Sequence, residues 1–227
     1  MSASDAAKAW VEAVDGLGGD SSVAVATAES LDARYAEQHR RYHTGTHVRA
    51  VLRDAAALAD ELQLPSWERA VLSLAACAHD VVYDAQPGAD EEASALWASD
   101  HLGRAGVPQD AISRVAELVL LTRDHSAPEG DTTAAVLLDA DLAILGTPED
   151  VYDGYSAAVR QEFVAVPDDL WRLGRVHVLE GLADRPQLYL TAAGRARWEA
   201  PARANLAREL AQLLVPADGV EPPTSRS

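Results

Sequence analysis

At 227 residues, 48% of them apolar, the chain is long enough for one domain with a sizeable core, and its low aromatic content of 5% beside abundant alanine suits closely packed helices. A net charge of −17 with no basic run argues against nucleic acid as the main partner, because neutralising a polyanion needs clustered Lys and Arg, although a few arginines could still face one small phosphate. Lys8 is the only lysine and falls in a terminal helix, which disfavours Schiff-base chemistry and a Walker A loop.

In chain order, a short helix is predicted over 6–14, ending at the 16–20 turn. Longer helices are expected over 21–40 and 46–62, with 39–45 as the link between them. Pro65 opens a helix running to His79, since proline is tolerated in a first helical turn. After a turn at 86–89, helices are predicted over 90–103 and 109–122, then a polar loop over 123–131. Residues 132–145 follow, with Gly146 as C-terminal cap, then 148–164, 168–183 and 193–214. The segment 216–227, with Pro222, Pro223 and Ser225, reads as a disordered tail. No alternating β-branched run appears, so the expected class is all-α, with 1–215 as a single domain.

Cys77 is the only cysteine, which excludes an intrachain disulfide, and in its apolar run it reads as a small buried hydrophobe. No signal-type apolar segment and no stretch near the roughly 20 apolar residues of a membrane span is found, so a cytoplasmic protein without membrane partners is expected.

Charged and imidazole side chains interrupt apolar helices at a few places. His79 and Asp80 end one, and burying them unpaired would be costly. His47 lies upstream in Tyr42-His43-Thr44-Gly45-Thr46-His47, and Asp139 and Asp141 downstream in Leu138-Asp139-Ala140-Asp141-Leu142. His and Asp together suit one divalent transition ion: Mn, Fe, Co, Ni or Zn. Two residues apart on one helix, Asp139 and Asp141 cannot easily face the same ion, and Asp139 is expected to cap or to orient a ligand.

The order His, then His-Asp, then Asp resembles the HD superfamily of metal-dependent phosphohydrolases. His79–Asp84, HDVVYD, is similar to the HDVVED segment of the alarmone hydrolases of the Rel/Spo family, and Ala140-Asp141-Leu142 is similar to their ADRL. Tyr83 and Leu145 depart from that family's glutamate and asparagine. A wider resemblance, to the bacterial group of predicted metal-dependent HD phosphohydrolases, rests on RYHTGTH (41–47), EEASA (91–95), DADLAILG (139–146), YSAAVRQEF (155–163), GRVHVLEGL (174–182) and ARANLAREL (202–210). The resemblance implies an HD-type helical bundle, His47, His79, Asp80 and Asp141 as ligands of one divalent metal, and hydrolysis of a small, nucleotide-like phosphoester or phosphoanhydride.

Other polar residues near these motifs are candidates for the remaining roles. Asp84 and Glu92 are the preferred acid–base groups, with Glu91 nearly equal to Glu92 and a solvated acidic turn as the competing reading. His43, His125, Arg123 and Arg160 are the expected substrate-binding residues, the arginines because a guanidinium fork matches phosphate oxygens, against ordinary hydrogen-bonded or surface roles. His101 and His177 read as bystanders. Two other functions compete: an HD-fold di-iron oxygenase, for which His101 and His125 would have to complete a second metal site, and a non-catalytic ligand-binding module.

Overall fold

The computed structural model describes residues 4–86 and 88–215; the tail expected over 216–227 lies outside them. Helix covers 73% of the described residues and no strand occurs among them, so the all-α expectation is met. The helices are α1 (Asp5–Gly16), α2 (Ser21–Tyr35), α3 (Gly45–Glu61), α4 (Ser66–Ala78), α5 (Ala89–Arg104) and α6 (Gln109–Leu121), then α7 (Thr132–Asp141), α8 (Glu149–Glu162) and α9 (Asp168–Ala183). A helical turn (Ala192–Gly194) and a π turn (Arg195–Glu199) lead into α10 (Ala200–Leu214).

Local chemistry sets most of the starts. Ser4, Asp20, Thr44 and Asp131 side chains accept from first-turn backbone N–H groups of α1, α2, α3 and α7. Pro65, Pro108, Pro148 and Pro167 stand just before α4, α6, α8 and α9, where a fixed φ suits the entry and a missing N–H costs nothing.

Helix α4 is the central element. Val71, Leu72 and every residue from Leu74 to Ala78 are buried, and α1, α3, α5, α6 and α7 pack around it. A helix that is apolar on all sides near its end has nowhere to go but the core. Its C-terminus therefore delivers His79 and Asp80 from the interior outward. A second cluster, built on Tyr152, Leu179, Tyr189, Ala202 and Leu206, joins α8, α9 and α10, and Trp198 packs against both clusters.

The structure departs from the sequence expectation in two stretches and meets it at the start of α3. The helix expected over 21–40 stops at Tyr35, because the 36–44 segment is held as a loop by Arg40. Its buried guanidinium donates to the carbonyls of His43 (3.1 Å), Asp80 (2.7 Å) and Val81 (3.0 Å). Past Asp141 the helix tightens into a 3-10 turn (Leu142–Gly146) rather than continuing to Leu145. Finally, α3 begins at Gly45, with Thr44 as its N-cap. His43 thus precedes the helix, in the link, as expected.

Candidate metal centre

Three helix ends meet at one point. His47 is the third residue of α3, His79 and Asp80 follow α4 directly, and Asp141 is the last residue of α7. His47, His79 and Asp80 each bring one ligand atom within 4.8 Å of the other two. His47 Nε2 lies 3.0 Å from His79 Nε2, 3.4 Å from Asp80 Oδ2 and 3.1 Å from Asp141 Oδ1. His79 Nε2 lies 3.1 Å from Asp80 Oδ2 and 3.5 Å from Asp141 Oδ1. Atoms about 2.1 Å from a shared ion are about 3.0 Å apart at right angles and about 3.4 Å apart in a tetrahedron, so these edges fit transition-metal ligation.

The donor chemistry fits as well. His79 donates its Nδ1–H to Ala76 O at 2.9 Å, which leaves the Nε2 lone pair facing the cluster. Two imidazole nitrogens and two carboxylates converging on one place need a cation between them, whether proton or metal. The electrostatics agree. Burial by itself would lower the pKa of His79, but Asp80 and Asp141 outweigh it and hold the group well above the ordinary histidine value. Burial would raise Asp80 and Asp141, but His79 and His47 hold both well below the carboxylate range.

Of the three cavities that border the cluster, two meet at His43, His125 and Asp141. One, of about 560 Å³, is bounded by Asp80, Asp141, His43 and His125 on one side and by α8–α9 residues on the other. The second, of about 500 Å³, shares His43, His125 and Asp141 and continues toward Arg123, His177 and Arg185.

The expected site residues separate into two groups here. His43 and His125 reach the cleft. His125 Nε2 is 3.0 Å from Asp141 Oδ2, the oxygen turned away from the two histidines, and its backbone is held at a φ of 47°. A left-handed conformation is unfavourable for histidine, and Arg185 holds the loop there by donating to the carbonyls of Asp124 (2.8 Å) and His125 (3.2 Å). Arg123 borders the second cavity, half-exposed, with Asp124 at 3.3 Å.

Arg160, Asp84 and Glu92 are placed elsewhere. Arg160 spends its guanidinium on the carbonyls of Phe163 and Val166 and on Asp168, and stacks over Trp171, so it braces the α8–α9 loop instead of facing the cleft. Asp84 is exposed outside both cavities. Glu92 points to solvent, 3.9 Å from Arg123, while its neighbour Glu91 lines the cavity and accepts from Gly88 N–H at 2.5 Å. Helical rotation of 100° per residue separates the two adjacent glutamates. Ser94 clamps the turn after Asp80, accepting from Val82 N–H and donating to Val82 O.

Asp139, as expected, does not face the cluster. It accepts from Leu190 N–H, Thr191 N–H and Thr191 Oγ1, fastening the 190–191 segment to α7. His101 stacks on Trp97 and donates to the Trp97 carbonyl of its own helix, outside both cavities. His177, expected to be a bystander, borders the second cavity.

Several residues escaped the sequence reading. Glu162 Oε1 accepts from three consecutive backbone N–H groups, those of Arg41, Tyr42 and His43, and Oε2 meets His43 Nδ1 and Tyr83 Oη. Arg175, in the wall of the first cavity, makes a buried two-pronged pair with Glu209 at 2.8 and 3.0 Å, and Glu209 also accepts from Tyr152 and Ser156. Glu162 falls within the quoted 155–163 motif, but only its charge near a helix end marked it. No protein-family model matches the chain, and no match to it was found among curated proteins or solved structures.

Proposed function

We propose that the chain is a metal-dependent phosphohydrolase that holds one divalent ion through His47, His79, Asp80 and Asp141 and acts on a small phosphorylated molecule in the cytoplasm. The observation that supports this most is the convergence of two Nε2 atoms and two carboxylates, at 3.0–3.5 Å, on the edge of an open cleft. A divalent ion there supplies Lewis acidity toward a phosphoryl oxygen and lowers the pKa of water. The chain's own residues do the rest. His43 is oriented by Glu162 through Nδ1, which leaves Nε2 to exchange a proton with substrate or water. Arg123, which borders the second cavity, is our candidate for contact with a phosphate oxygen, and the buried Arg40 fixes the spacing between the His43 loop and Asp80.

One observation favours the oxygenase reading: His125 sits on the second oxygen of Asp141, where another ion could share that carboxylate. His101, stacked on Trp97, adds nothing to such a site. The test is metal analysis of the purified protein, followed by a phosphate-release screen over small phosphorylated compounds with Mn, Co and Ni. Stoichiometric metal and phosphate release lost in Asp80→Ala would support hydrolysis. Metal-loaded protein that releases no phosphate from any compound would reject it.

A further inference from the structure

The cavity that contains Asp80 and Asp141 in its wall is lined on its far side by Val159, Phe163, Val166, Leu170, Trp171 and Val178, from α8, α9 and the loop between them. Its rim is apolar too: Leu170 is 55% exposed and Val178 51%. A soluble face rarely keeps a run of large apolar side chains next to a cluster of ligating residues without a use. The cations that could receive a second phosphate on this side are already committed. Arg175 is buried against Glu209, and Arg160 is tied to Asp168 and two carbonyls.

We infer that the substrate is a phosphomonoester of an apolar alcohol, whose hydrocarbon body lies against Val159, Phe163, Leu170, Trp171 and Val178 while its single phosphate meets the His47–His79–Asp80–Asp141 cluster. This rests on the hydrolase reading and narrows it away from nucleotide polyphosphates, which offer neither an apolar body nor a low charge. Hydrolysis adds a water oxygen to phosphorus, breaks the bond from phosphorus to the ester oxygen, and returns one proton to that oxygen. The products are the free alcohol and inorganic phosphate.

Calorimetric titration of the full chain with Mn present, using phosphonates that cannot be hydrolysed, tests the pocket independently of turnover. Naphthylmethylphosphonate should bind at least about 10-fold tighter than methylphosphonate, given about 0.8 kcal/mol for each buried CH2 equivalent. Leu170→Ser and Val178→Ser, both at exposed rim positions, should remove that preference. Leu96→Ser, exposed on α5 away from the cavity, should leave it unchanged. Equal affinity for the two phosphonates, or a preference that survives both rim variants, overturns the inference. Turnover separates the two readings. Phosphate released equally from naphthyl phosphate and ribose phosphate would leave the hydrolase standing and sink the apolar substrate. The binding preference without phosphate release from any ester would keep the pocket and sink the hydrolase, and with it the assignment of a substrate.

Discussion

His43 Nδ1 lies 2.7 Å from Glu162 Oε2, a contact that joins the loop before α3 to the last residue of α8 across 119 positions. The same carboxylate takes three backbone N–H groups on its other oxygen. Burial would push Glu162 up, but the bond from His43 and the backbone donors outweigh it and bring the pKa to about 2. A folded-state pKa below the unfolded one stabilises the protein above the unfolded value and loses that contribution as pH falls through the folded one. Glu162→Gln should cost on the order of 1–3 kcal/mol near neutral pH. The gap between wild type and variant should close as pH falls from about 4.5 to about 2. Thermal melts of both proteins over this range check it, and a gap that does not change with pH refutes the assignment.

The ligand set makes a second prediction. His79→Ala and Asp80→Ala each remove one donor from a cluster with contacts of 3.0–3.5 Å, and each should abolish metal binding and activity together. His177→Ala should leave metal content unchanged, because His177 lies in the cleft wall and not in the cluster. Metal analysis after dialysis decides. Full stoichiometry in His79→Ala would mean that the cluster does not hold the ion.

The helical class could be read from apolar residues that recur at helical spacing, and His79, Asp80, Asp139 and Asp141 stand out where a charge interrupts an apolar run. His47, in a polar stretch, and the choice of Asp141 over Asp139 were suggested only by the resemblance to the HD phosphohydrolases. What the sequence hid is long-range pairing. Nothing local to Glu162, Arg175 or Glu209 announces partners 119 or 34 residues away. The end of α2 was hidden too, since residues 36–44 contain no proline and a glycine-free run up to Thr44, and the loop exists because Arg40 satisfies distant carbonyls. The choice between Glu91 and Glu92 turns on helix phase, which adjacent identical residues cannot reveal.

The buried Arg175–Glu209 pair should behave as one unit. Arg175→Met leaves Glu209 charged in the interior, with only Tyr152 and Ser156 as donors, and should cost about 3–5 kcal/mol. Arg175→Met combined with Glu209→Leu removes the stranded charge and should recover more than half of that loss. Urea denaturation of the two variants gives the comparison. A double variant no more stable than Arg175→Met would show that the pair is not what holds α9 to α10.

Metal stoichiometry separates the two enzyme readings. Asp141 divides its oxygens, Oδ1 toward His47 and His79, Oδ2 toward His125. Of the two histidines weighed for a second site, only His125 meets a carboxylate of the cluster, because His101 is held against Trp97. A ligand set of that size suits a single ion with open positions for water and substrate. One metal per chain is therefore expected, with turnover that persists when oxygen is removed. Arg123→Ala should raise KM for the phosphorylated substrate while metal content stays constant, since Arg123 borders the cleft and touches none of the four ligands. Elemental analysis and anaerobic assays read out both quantities. Two irons per chain with a strict need for oxygen would transfer the site to oxygenase chemistry, and His125→Ala would then remove one of the two.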